Sequence, residues 1–267
     1  MKSEKIRIIK EMLAVISTDQ MIKSEVIIEG APIISFGHIG KSKIATMGLN
    51  PSDQEFYDSK GVELDGIARR FHTLKSLDIK NWKNASESDF EKILILCEEY
   101  FYRNPYDRWF KSLNYIISGT GFSFYDAFNS ACHLDLVPFA TKKKWGSLTE
   151  LQKKHLLQVG SKFLADIINN GSIELIILNG RSVIKNMEVM IGCSFSKKEY
   201  KAWALPRLEG AVRGEAYTGK ITKLGNNPLN RCVKVLGYNH NIQSSFGVTN
   251  AVKGSIKNWI TREAEKL

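Results

Sequence analysis

The sequence predicts an α/β protein: a three-layer αβα arrangement with a central, mostly parallel four-stranded sheet, in one domain spanning residues 1–267. Two observations carry this. Short apolar runs of strand length occur at Ile44–Leu49, Ala131–Thr141, Glu174–Leu178 and Cys232–Leu236. Longer segments with apolar residues at helical spacing alternate with them, the order expected of strands joined by crossover helices.

Taken in order, residues 4–16 read as an amphipathic opening helix. Val26–Ile28 and Ile33–Phe36 are short β-branched runs broken by Gly30 and Pro32, read as strands or extended edges. Gly40-Lys41-Ser42 looks briefly like the end of a phosphate-binding loop. The full pattern, however, needs a Gly where Ser35 stands and a helix where a strand follows. The first strand closes on Gly48, with Asn50-Pro51 directly after it. Residues 52–72 then form a long polar loop holding Phe56, Tyr57, Arg69, Arg70 and Phe71, a length that usually signals function or disorder. Helices are expected at Asp89–Tyr102 and Asp107–Ile117. The second strand emerges into Lys142-Lys143-Lys144-Trp145. Thr149 caps a helix running to Asn169, and Arg181–Met190 follows the third strand. Residues 192–231, rich in Gly and broken by Pro206 and Pro228, read as an insertion or a pair of hairpins. The loop Gly237–Val248 leads to a last helix capped by Thr249.

Composition is that of an ordinary globular chain, 43% hydrophobic and 25% charged, with a net charge of +10. That balance favours an anionic partner, of which nucleic acid is the commonest. The cysteines, at 97, 132, 193 and 232, lack zinc or iron–sulfur spacing. No metal ligand set, cofactor motif, membrane span or obligate protein partner is expected. The absence of a secretory leader pattern reads as a cytoplasmic protein.

The strand exits carry the unusual polar groups. In a parallel sheet the exits share one edge, so Asn50, Asp135 and His240 can converge although far apart in sequence. An Asp inside an apolar run is costly unless its carboxylate is paired, hydrogen-bonded or used. His240 lies among Asn239, Asn241, Gln243, Ser244 and Ser245 ahead of a helix N-terminus, a place suited to phosphate.

These residues resemble the uracil-DNA glycosylase superfamily. Gly48-Leu49-Asn50-Pro51-Ser52 is similar to the first motif of its mismatch-specific and single-strand-selective branches. Val235–Ser245, running through Gly237-Tyr238-Asn239-His240-Asn241, is similar to its second motif, although Asn241-Ile242 replaces the common Pro-Ser after the His. Leu134–Val137 stands where the family places a base-reading Asn, and Leu178-Asn179-Gly180 matches the strand that follows. The resemblance covers roughly residues 40–260. It implies a monofunctional DNA glycosylase that flips a base and hydrolyses its N-glycosidic bond to leave an abasic site. It further implies that Asn50 positions the attacking water, with Asp53 as an alternative activator, and that His240 stabilises the departing base. Phe71 or Tyr57 would stack on that base, and Ser52, Lys142, Lys143, Lys144, Gln243, Ser244 and Ser245 would contact DNA.

Asp135 departs from the pattern. An amide matches the pairing edge of uracil in both senses, whereas a carboxylate only accepts, which suits the exocyclic amine of cytosine. The expected target is therefore a cytosine-type base, modified as in some phage DNA, which would make the chain a defence factor. The alternatives are a repair glycosylase for uracil or a damaged base and a catalytically inactive DNA-binding relative.

Overall fold

The computed structural model describes residues 2–207, 210–243 and 245–265. Its centre is a sheet of Ile44–Gly48 (β1), Ala131–Asp135 (β2), Leu175–Asn179 (β3), Ser196–Glu199 (β4), Glu215–Leu224 (β7) and Asn227–Tyr238 (β8), in the order β2-β1-β3-β8-β7-β4. Leu205–Pro206 (β5) and Ala211–Val212 (β6) pair separately. Seven helices pack around this sheet among the described residues: Lys2–Ile16 (α1), Asp19–Lys23 (α2), Glu87–Glu98 (α3), Asp107–Ile117 (α4), Glu150–Asn169 (α5), Arg181–Ile191 (α6) and Asn250–Ala264 (α7).

The four expected strands are the parallel ones, β2, β1, β3 and β8. Every residue of β1, β2 and β3 is buried, which is why their sequences read as short apolar runs. The four-stranded expectation is nevertheless wrong. The sheet has six strands of mixed orientation, because residues 192–231 supply β7 and β4, both antiparallel to their neighbours. The sequence offered an insertion or a pair of hairpins here, and the hairpin strands join the main sheet. On the outer edge, β4 is fully exposed and carries Lys197 and Lys198, charges that discourage pairing with another chain.

Other expectations shift at their ends. The second strand stops at Asp135 instead of reaching Thr141, since the chain peels away to form single bridges and loop contacts. The segments at 26–28 and 33–36 make only isolated bridges, Val26 to Thr141 and Phe36 to His133. Helix α3 ends at Glu98 and tightens into a 3-10 turn over Tyr100–Tyr102. Thr149 and Thr249 cap α5 and α7 as expected, each accepting a backbone N–H from the first turn. No helix among the described residues is long and apolar enough to cross a membrane.

Candidate functional site

The parallel register sets the exits of β1 and β2 side by side, with Thr46 opposite His133 and Gly48 opposite Asp135. Because strand side chains alternate, His133 and Asp135 share a face, as do Thr46 and Gly48. Gly48 is required there: a Cβ would overlap Asp135 Oδ1 and come within 3.0 Å of His133 Nε2. The His133 ring is held by Thr46, whose Oγ1 lies 2.7 Å from Nδ1, and its Nε2 sits 3.5 Å from Asp135 Oδ1. That last separation is longer than an ordinary hydrogen bond. Asp135 is buried, with a side-chain exposure of 5%, and no hydrogen bond reaches its carboxylate among the described residues. A carboxylate this enclosed, with no hydrogen bond from the described residues, needs donors from water or a ligand.

Asn50 is half-buried. Its amide nitrogen donates to Thr141 Oγ1 at 2.9 Å and to the Pro51 carbonyl at 3.1 Å. These bonds fix the side chain and leave its oxygen without a donor among the described residues, so it can accept from a water. Thr141 in turn donates to the Lys143 carbonyl at 2.7 Å, tying the lysine run to Asn50. Lys142 and Lys144 are exposed, and Lys143 reaches back to Glu25 at 2.6 Å.

The 52–72 loop folds over this exit in an ordered way. Ser52 caps a 3-10 turn at Asp53–Glu55, and Tyr57 bridges to Glu63. Glu55, which sequence reasoning missed, is 4% exposed and accepts from the Tyr100 hydroxyl at 3.0 Å. Arg70 approaches it to 4.0 Å but spends Nε on the Asn104 carbonyl and Nη1 on the Gln54 carbonyl. Burial pushes the Glu55 carboxyl up to about 7. Arg70 and Tyr100 oppose the rise, and the neighbouring charge of Asp135 adds to it. No local pattern marks Glu55 as buried, because its partners come from distant elements. His133 was findable: it stands two residues before Asp135 and so must face the same way.

Phe71 is not open to a base. It lies in the core at 2% exposure, its ring stacked on Tyr100 with centroids 5.2 Å apart and edge-on to Phe36. An aromatic closing over apolar strand exits gains more from burial than from waiting in solvent. Tyr57 stays half-buried at the loop surface.

The exit of β8 is built differently. The Asn239 side chain accepts from Glu215 N at 2.8 Å and donates to the Arg213 carbonyl at 2.7 Å. His240 is 2% exposed, and its Nε2 lies 2.6 Å from the Trp203 carbonyl, to which it donates. Burial pulls the imidazole below its usual range, the Trp203 carbonyl opposing this and the Arg181 and Arg207 charges assisting it, so the ring is neutral at pH 7. Trp203 is itself fully buried, stacked on Tyr200 and bonded through Nε1 to Ser255 of α7. The insertion therefore clamps the exit of β8, a role its sequence did not disclose. The structure does not place the His240 Nε2 proton free for a departing base. Gln243 is also engaged, between Asn179 at 2.8 Å and the Trp109 carbonyl at 3.1 Å. Ser245 is half-buried, Ser244 lies outside the described residues, and Phe246 is 82% exposed beneath the Arg207 guanidinium. A surface cavity of about 690 Å³ lies between α5, α6 and the β7–β8 turn, but none of these residues lines it. Compared with protein-family models and with curated protein sequences, the chain matches none.

Proposed function

We propose that this chain is a DNA glycosylase of the uracil-DNA glycosylase type, acting on a modified cytosine. The observation that carries the reading is the buried Asp135 carboxylate, left without a hydrogen-bond donor one strand from the half-buried Asn50. A flipped cytosine would bring its exocyclic amine to that carboxylate, supplying the missing donor. Asn50, fixed through its nitrogen, would hold water with its free oxygen for attack on the sugar as the glycosidic bond opens. For His240 to stabilise the leaving base, Nε2 must exchange the Trp203 carbonyl for a base oxygen. The exposed Lys142 and Lys144 suit phosphate contact beside Asn50. Phe246, bare at the tip of the β8–α7 loop, suits insertion into the base stack. Modified cytosine in phage DNA would make the reaction one of defence.

The engaged state of His240 favours a second reading, a binder that has lost its chemistry. One experiment separates the two: abasic-site formation by wild type and Asn50→Ala on oligonucleotides bearing uracil, cytosine, hydroxymethylcytosine or glucosylated hydroxymethylcytosine. A glycosylase cleaves the modified cytosines and loses at least ~10²-fold with Asn50→Ala. A binder cleaves nothing and holds DNA equally well with either residue.

A further inference from the structure

His133 is the buried histidine that the reading above does not use. It is 2% exposed and shares both the strand and the face of Asp135. Phe36, Trp109 and Phe110 wall its ring edge-on, with centroids 5.4, 5.0 and 5.4 Å away. Its two nitrogens face different partners. Nδ1 lies 2.7 Å from Thr46 Oγ1, and Nε2 lies 3.5 Å from Asp135 Oδ1. Thr46 is fully buried, and its hydroxyl has no other hydrogen-bond partner among the described residues. A buried hydroxyl hydrogen needs an acceptor, so Thr46 donates to Nδ1 and the ring proton sits on Nε2. The opposite tautomer would leave the Thr46 hydrogen unpaired and turn the Nε2 lone pair toward a carboxylate oxygen. Oδ1 is thus enclosed by the Nε2 proton and by Gly48, where a Cβ would overlap it. Oδ2 is the carboxylate oxygen left for a donor from outside.

We propose that His133, held by Thr46 with its proton on Nε2, is the positioning residue that fixes Asp135 as the acceptor for the exocyclic amine of a cytosine-type base. This rests on the glycosylase reading. No hydrogen bond from the described residues holds the carboxylate, so the facing N–H dipole sets its rotation. At 3.5 Å that N–H orients Oδ1 without satisfying the carboxylate, which keeps accepting capacity for the amine. Uracil would bring an oxygen to the same place, acceptor against acceptor, and be opposed. His133 touches no base on this account and acts through Asp135.

The test uses the full-length protein. Heteronuclear NMR of the His133 ring nitrogens in the wild-type chain reads the tautomer, and a proton on Nε2 with a bare Nδ1 is expected. A proton on Nδ1 overturns the proposal. Variants checked by thermal melting then read the role: His133→Phe, His133→Gln, and Asp135→Asn with and without His133→Phe. Phe keeps a ring among Phe36, Trp109 and Phe110 but has no N–H, whereas Gln brings an amide N–H toward the place of Nε2. The ratio of hydroxymethylcytosine to uracil cleavage should fall ~10-fold in His133→Phe and stay within ~3-fold of wild type in His133→Gln. Once Asp135 is replaced by Asn, adding His133→Phe should change the ratio no further, because the two residues act as one unit. A ratio unmoved by His133→Phe, or a further ~10-fold fall in the double variant, overturns the proposal while leaving the glycosylase reading standing. Cleavage of no base by wild type overturns that reading and the role of His133 together. The ring measurement needs no variant, so it decides the tautomer even where His133→Phe fails to fold.

Discussion

At the exit of β8, Asn239 and His240 spend their side chains on the backbone of residues 203–215, whereas at the exits of β1 and β2, Asn50 and Asp135 keep oxygens that no described residue satisfies. Both exits lie on the same edge of one sheet and both carry the polar residues that drew attention in the sequence. Their difference lies in what was built around them. The insertion engages Asn239 and His240 on the β8 side, where the buried Tyr238 hydroxyl lacks a partner among the described residues. The 52–72 loop covers the β1–β2 side with a second carboxyl group, Glu55, and supplies few donors. Buried polar groups are nearly always paired, which is why the proposed function places the base at the β1–β2 exits, where two oxygens lack donors.

The sharpest way to break this contrast is at the clamp. Trp203→Ala should destabilise the fold by about 3–5 kcal/mol, the usual cost of truncating a fully buried Trp, as read by urea unfolding. A loss within the noise of a surface substitution would mean that the insertion does not hold the β8 exit.

Glu55 probes the other side through pH. Its folded-state value, about 7 against an ordinary 4.5, means that the native chain binds this proton more tightly than the unfolded chain. The associated stability is fully present below pH 4.5 and is lost as pH rises through 7. Glu55→Gln mimics the protonated form, so it should match wild type in acid and exceed it by about 3 kcal/mol at pH 8. Urea midpoints at the two pH values check this, and parallel curves would place Glu55 in a solvated setting.

A smaller effect is expected where the strands touch. Gly48→Ala should cost about 1–3 kcal/mol, since the new methyl group displaces Asp135 and crowds His133. Asn239→Ala should cost about 1–2 kcal/mol by leaving Glu215 N and the Arg213 carbonyl unpaired. Thermal melts resolve both, and Asn239→Ala should leave base selectivity unchanged if the two exits act independently.

The sequence disclosed the frame well because local physics determines it. Runs such as Ile44–Gly48 and Leu175–Asn179 must be buried on both faces, and Thr149 and Thr249 cap helices through contacts a few residues away. Asn50 and Asp135 were legible for the same reason, each being a polar residue at the end of a strand. What escaped was set by distant partners. Phe71 is core because Tyr100 and Phe36 surround it, and His240 is engaged because Trp203 lies 37 residues away in an insertion with no recognisable pattern. Glu55 looked like any loop carboxylate until the fold buried it against Tyr100.

The central claim is that Asp135 selects the base, and the most direct measurement is the ratio of hydroxymethylcytosine to uracil cleavage for wild type and Asp135→Asn. An amide in place of the carboxylate should lower that ratio by ~10- to 100-fold, about 1–3 kcal/mol of discrimination. A ratio unchanged by the substitution would contradict the account and return Asp135 to a structural role beside His133.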